Sequence, residues 1–212
     1  MSTINHVLDV LCVDLDDTLY LQKTFDNQII DLAVKSIFLD LCCTENLKKY
    51  FSRELKLRRE SDRLDGYLFN KVFQEFGFCN NLADKFVSSY ASLAVSAYPI
   101  IMPCIDAVSY VNDFRSHGIT VMVTNGPVKQ QLNKISLLGI ISLFDEIIVL
   151  DGAKPRLTKP DVSILSQFLD SHSIVFGSDS LMIGDSSCDK QFADNLGIRY
   201  CHPVTDMGWR LR

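Results

Sequence analysis

Val7-Leu8-Asp9-Val10-Leu11-Cys12-Val13-Asp14-Leu15-Asp16-Asp17-Thr18 decides how this chain is read. An apolar run of this length predicts a buried strand over 7–15. The run ends in two carboxylates, Asp14 and Asp16, spaced i, i+2. The period of two in a strand places both side chains on the same side of the pleat. Carboxylates brought this close favour either a cation between them or a shared proton. The tip of a strand in an α/β sheet is also where ligands bind. The stretch therefore points to a hard-metal or acid/base site at the carboxyl end of a buried strand.

Three later segments have the same character. Val121-Met122-Val123-Thr124-Asn125-Gly126 is a second apolar strand, ending in a hydroxyl, an amide and a glycine. Thr158-Lys159-Pro160-Asp161 puts a lysine in a loop before a helical pattern. Leu181-Met182-Ile183-Gly184-Asp185-Ser186-Ser187-Cys188-Asp189 is a third strand, ending in Gly-Asp with a further Asp downstream. In this order the four segments resemble the haloacid dehalogenase superfamily of phosphotransferases. They correspond to its Asp-x-Asp-x-Thr, Ser/Thr, Lys and Gly-Asp-x-x-x-Asp motifs. The resemblance spans residues 7–203, nearly the whole chain.

At 212 residues the chain can form one large domain, or one core with a smaller insert. Its apolar content of 47% is that of a globular protein. A formal net charge of −5 advertises no basic face, so nucleic-acid binding is not favoured. The seven cysteines lie mostly in apolar runs and read as buried, reduced thiols. None forms a C-x-x-C pair of the kind that binds zinc or carries redox chemistry. The N-terminus has no charged segment followed by a long apolar one, and no run nears the roughly 18 apolar residues of a membrane span. The expectation is a soluble, cytoplasmic protein without a membrane partner.

Between the first and second strands the periodicity is helical. Ile29, Ile30, Ala33, Ile37 and Phe38 form one stripe, and Phe51 and Leu55 another. Leu68, Val72, Phe73 and Phe76 continue it, as do Phe86, Tyr90 and Leu93. After Pro99 and Pro103 helix and strand alternate, with strands predicted over 119–125, 146–150, 180–184 and 198–201. Helices are predicted over 105–116, 128–138, 161–169 and 189–196. That alternation means a parallel sheet covered on both faces. The fold expected is α/β: a Rossmann-like, doubly wound parallel sheet in 1–21 and 98–212, with an inserted all-helical cap over 22–97. The insert's position just after the first motif is the one seen in capped members of the resembled superfamily.

The resemblance also implies roles. Asp14 would be the nucleophile, forming an aspartyl-phosphate. Asp16 would be the general acid and base. Its presence points to phosphate rather than halide chemistry, since relatives that cleave carbon–halogen bonds lack it. Asp17 stands where many relatives have Gly and reads as a turn residue. Thr124, with the backbone N–H groups of Asn125 and Gly126, would hold phosphoryl oxygens. Lys159 would balance their negative charge. Lys159 is preferred over Lys154 because Pro160-Asp161 reads as a helix start, and because Lys159 lies 26 residues before Asp185. Asp14, Asp16 (through its backbone carbonyl), Asp185 and Asp189 are the metal candidates. Their oxygen-only chemistry points to Mg²⁺. For Asp189 three roles stay open: a direct ligand, a ligand through water, or a partner for Lys159.

The function implied is a Mg²⁺-dependent phosphomonoesterase acting on a small soluble metabolite. Thr124-Asn125-Gly126 followed by Gln131, Lys134, Leu138-Gly139-Ile140 and Phe144-Asp145 resembles the branch acting on nucleoside monophosphates, sugar phosphates and phosphoglycolate. The alternatives are a phosphomutase, or a catalytically silent relative that binds a partner. The basic run from Lys48 to Arg59 reads either as a solvated helix face or as a receiver for a second anionic group. Tyr20, Leu21 and Lys23 fall where relatives have the hinge between core and cap.

Overall fold

The computed structural model describes residues 6–39, 44–61, 67–151 and 158–211. In chain order the elements are β1 (His6–Leu8), β2 (Val10–Val13), α1 (Gln22–Ile37), α2 (Glu45–Ser61), α3 (Leu68–Glu75) and α4 (Asn80–Ala94). They continue with α5 (Ile105–Phe114), β3 (Ile119–Asn125), α6 (Val128–Leu138), β4 (Glu146–Leu150) and α7 (Ser163–Ser171). The last are β5 (Ile174–Phe176), β6 (Leu181–Ile183), α8 (Ser187–Leu196) and β7 (Arg199–Cys201). The chain divides into two compact units, Met1–Leu21 with Met102–Arg212, and Gln22–Ile101.

The first unit is built on a five-stranded, all-parallel sheet in the order β4-β3-β2-β6-β7. Every residue of β2 is buried, as a strand covered on both faces requires. On one face Val10, Cys12, Val121, Val123 and Met182 pack with Leu165 and Leu169 of α7 and Phe192 of α8. The chain runs β2, β3, β4 to one side and then crosses to β6 and β7 on the other. β2 thus lies at the point where strand order reverses, and there the carboxyl ends of neighbouring strands open a crevice.

The strand expected over 7–15 is in fact two. His6–Leu8 is exposed and pairs only with β5, in a separate two-stranded parallel sheet. Asp9 makes the break. Its Oδ1 accepts from Asp179 N at 2.9 Å, its carbonyl accepts from Ile119 N at 2.9 Å, and Ser180 Oγ accepts from Val10 N at 3.1 Å. Side chains thus take the place of ladder bonds. A Cβ on Gly177 would stand 2.2 Å from Asp9 Oδ1, so only glycine admits this approach. Two other boundaries differ. The helix expected from Asp161 begins at Ser163, because Asp161 Oδ1 accepts from Ser163 N at 2.8 Å and holds a turn. The second unit ends at Ile101 rather than at 97, because the Gln28 amide bonds both backbone groups of Ile100, at 2.8 and 2.9 Å.

The second unit is helical. Phe38, Phe51, Phe73, Phe78 and Phe86 make edge-to-face and tilted ring contacts at its centre. A buried Asp26 accepts from Tyr90 Oη at 2.6 Å and pairs with Arg59 at 3.4 Å, tying α1, α2 and α4 together. Most of the basic run in α2 is spent in the same way, Lys56 on Asp31 and Arg58 on Glu75. Among the described residues no helix is long and apolar enough to cross a membrane. Cys12 and Cys104 are buried, Cys188 and Cys201 partly so, and Cys79 is exposed; all five are free thiols. Cys42 and Cys43 lie outside the described residues.

Candidate active site

β2, β3 and β6 are adjacent and parallel, so their carboxyl ends lie side by side. Asp14 N donates to Ile183 O at 2.9 Å, carrying the ladder one residue past β2. The chain then leaves the sheet through Asp17, whose φ of +53° is the left-handed conformation that asparagine, aspartate and glycine tolerate best. This agrees with the turn role expected of Asp17.

Asp14 and Lys159 meet at the strand tip. Lys159 Nζ lies 2.5 Å from Asp14 Oδ1 and 2.5 Å from Asp189 Oδ1, and all three side chains are buried. Asn125 Oδ1 accepts from Lys159 N at 2.8 Å and so fixes the loop that carries the lysine. Thr18 Oγ1 lies 3.5 Å from the other Asp14 oxygen. Burial pushes Asp14 up to about 7; Lys159 works against this, while Asp189 and Asp16 add to it. Desolvation also pulls Lys159 down, but Asp14 and Asp189 outweigh it and hold the ammonium above its ordinary value. The triad is thus a cation enclosed by two acids, with one of them still short of positive charge.

Both oxygens of Asp189 are engaged within the protein. Its Oδ2 accepts from Ser186 N at 3.0 Å and Ser186 Oγ at 2.6 Å, closing a capping box at the start of α8. Its Oδ1 faces Lys159. Of the roles left open by the sequence, holding Lys159 is the one this geometry displays. A Cβ on Gly184 would come within 2.4 Å of Asp189 Cγ, so the glycine of the Gly-Asp motif makes room for that carboxylate. Asp185 is partly exposed, and burial, Asp17 and Asp189 together push it up to about 6. Asp14, Asp185 and Asp189 each offer an oxygen, all within 4.8 Å of one another. The rival Lys154 lies outside the described residues.

Asp16 belongs to a second group. Lys134 Nζ lies 2.8 and 2.9 Å from its two oxygens, Tyr20 Oη 2.5 Å from Oδ1, and Gln131 Nε2 3.0 Å from Oδ2. Burial pushes Asp16 upward as well, but the Lys134 charge and these hydrogen bonds outweigh it and hold the carboxyl below its usual value. Thr124, buried at the end of β3, lies 2.7 Å from the same Gln131 nitrogen. Gln131, Lys134 and Tyr20 thus line the candidate site, where the sequence offered the first two only as marks of a branch and Tyr20 only as a hinge residue. A signal for two of them existed: positions 131 and 134 fall on the face of α6 that buries Ile135 and Leu138, where polar side chains are out of place unless they have a task.

Chemically, the arrangement joins a carboxylate at a strand tip, a buried ammonium against it, a second carboxylate with its own ammonium, and a buried hydroxyl. The donors open to a metal are oxygens only, a set that suits a hard cation. A cation beside Asp14 and Asp185 would relieve the crowding of charge that pushes both carboxyls up.

A sequence profile for haloacid dehalogenase-like hydrolases matches residues 12–202. No curated protein sequence matches the chain. Solved structures share the fold at low identity. A magnesium-bound HAD-hydrolase of Bacillus subtilis, YfnB, is 18% identical, with 97% of this chain and 93% of that one aligned and a TM-score of 0.60. A subfamily IA hydrolase of Geobacter sulfurreducens is 14% identical, with 94% and 89% aligned and a TM-score of 0.63. A Thermotoga maritima protein assigned as a β-phosphoglucomutase is 13% identical, with 95% and 97% aligned and a TM-score of 0.62. With nearly its whole length matched, the chain belongs to the haloacid dehalogenase-like hydrolases.

Proposed function

We propose that the protein is a Mg²⁺-dependent phosphomonoesterase of a small phosphorylated metabolite, working through an aspartyl-phosphate on Asp14. The observation that carries this reading is the Asp14–Lys159–Asp189 triad at the tip of β2, with the paired Asp16 beside it. Asp14 and Asp185, with the backbone carbonyl of Asp16, would hold Mg²⁺. When bound, the ion supplies positive charge against the phosphoryl oxygens.

In the first step an Asp14 oxygen attacks phosphorus, the bond from phosphorus to the leaving oxygen breaks, and Asp16 delivers a proton to that oxygen. Lys159 balances the charge gathered on nucleophile and phosphoryl group, and Thr124 with the N–H groups of Asn125 and Gly126 orients the phosphoryl oxygens. In the second step Asp16 takes a proton from water, whose oxygen attacks the same phosphorus. Phosphate leaves and Asp14 is restored. Lys134 suits Asp16 to this second step and opposes the first, which needs the proton already in place. Substrates with leaving groups that need little protonation, such as aryl phosphates, are therefore expected to show a higher kcat/KM than alkyl phosphates.

The test is phosphate release, with Mg²⁺, from nucleoside monophosphates, sugar phosphates and phosphoglycolate. Asp14→Asn is expected to lower turnover by roughly 10⁴-fold or more. Turnover that survives the substitution overturns the nucleophile. An isomerised sugar phosphate with no free phosphate points to a phosphomutase instead.

A further inference from the structure

Gln131 is buried on α6, and its side-chain nitrogen reaches three acceptors: Thr124 Oγ1 at 2.7 Å, Asp16 Oδ2 at 3.0 Å and the Asn125 carbonyl at 3.0 Å. A carbonyl oxygen accepts only, so this end of the amide must be the NH₂. An amide nitrogen donates and does not accept. The amide has two N–H groups for these three acceptors, and its shortest contact is with Thr124 Oγ1; that hydroxyl receives from Gln131 and cannot return its own proton to it. Among the described residues that proton has no acceptor, although Thr124 is 1% exposed. A buried hydroxyl with an unspent proton is costly unless a ligand takes it.

We propose that Gln131 is a positioning residue that turns the Thr124 hydroxyl into a donor aimed at the phosphoryl group, and by the same amide fixes the carboxylate of Asp16. The proposal rests on the phosphatase reading, in which Thr124 touches the phosphoryl oxygens. One side chain then couples the residue that holds the phosphoryl group to the residue that moves the proton. Glutamate at 131 has the same shape and the opposite polarity: it accepts the Thr124 proton, withdraws it from the substrate, and sets a negative charge against Asp16.

The experiment is a double-mutant cycle on the full chain with Mg²⁺ and one good phosphomonoester substrate, reading kcat/KM and inhibition by inorganic phosphate. Gln131→Met and Thr124→Val are each expected to lower kcat/KM by about 100-fold. Because one residue acts through the other, the double variant should fall little below the worse single one. Gln131→Glu should lose at least as much as Gln131→Met while keeping its volume, so a packing defect cannot account for the loss. Thr124→Ser, which keeps the hydroxyl, should retain the full sensitivity to Gln131→Met. Additive losses, or a Gln131→Glu variant as active as wild type, overturn the proposal and leave the phosphatase reading standing. A wild-type protein that releases no phosphate from any phosphomonoester overturns both.

Discussion

Asp14 and Asp16 stand two residues apart and have opposite electrostatic fates. Burial leaves Asp14 pushed up to about 7, while Lys134, with the Tyr20 and Gln131 donors, holds Asp16 down. The difference lies in how much positive charge each receives: Asp14 shares one ammonium with Asp189, and Asp16 faces Lys134 with both oxygens. Lys134→Met should therefore lower the free energy of unfolding by about 3 kcal/mol, because it strands a largely buried carboxylate; urea unfolding with Mg²⁺ present reads this directly. Asp185 gives a test with a sign. Its folded pKa of about 6 lies above its ordinary 3.8, so the folded state holds the proton more tightly and loses stability as pH rises between those values. In EDTA, Asp185→Asn should match wild type near pH 4 and be more stable at pH 8, by about 1 kcal/mol after allowance for partial exposure. A variant less stable than wild type at pH 8 would contradict the charge-crowding account of this site.

At the scale of elements, α8 does more than cover the sheet. Its capping box and the Gly184 approach hold the Asp189 carboxylate against Lys159. Gly184→Ala is expected to displace that carboxylate and loosen Lys159, lowering kcat well beyond its effect on KM. Steady-state kinetics beside a melting curve would separate this from simple unfolding. Elements bounded by strong signals were legible in advance. Strands 119–125 and 146–150 and helix 128–138 stand where apolar runs and Gly139 put them. The three-residue β5, which pairs with the exposed β1 outside the main sheet, was not foreseen. The break at Asp9 was hidden because the groups that replace the ladder bonds, Asp179 and Ser180, are 170 residues away in sequence.

On the scale of the whole molecule, the two units keep separate cores. Every described residue of the candidate site belongs to the unit Met1–Leu21 with Met102–Arg212. Within that unit Cys104 N donates to Leu19 O at 2.7 Å, so the chain leaves and returns at neighbouring points. A short Gly-Ser linker from Leu21 to Met102 could close that gap, and removal of Gln22–Ile101 is expected to leave a folded unit with altered substrate preference. Unchanged selectivity would show that the helical unit does not choose the substrate. Mg²⁺ at about 100 times its Kd should raise stability by about 2.7 kcal/mol in the wild-type protein. The Asp14→Asn, Asp185→Asn double variant should lose most of that response, which thermal melts with and without EDTA would reveal. An undiminished response would place the metal elsewhere.

The sequence by itself determined the family, the parallel α/β core and the identity of the carboxylates, lysine and threonine of the candidate site. Those properties are written in local order, as apolar runs that end in particular polar residues. Only the tertiary structure decided how the site is wired: Asp189 to Lys159, Lys134 to Asp16, and Gln131 between Asp16 and Thr124. The physical reason is that a buried charge or hydroxyl takes its state from whichever groups the fold brings within about 3 Å of it. Lys134 and Asp16 are 118 positions apart along the chain, and no local pattern joins them.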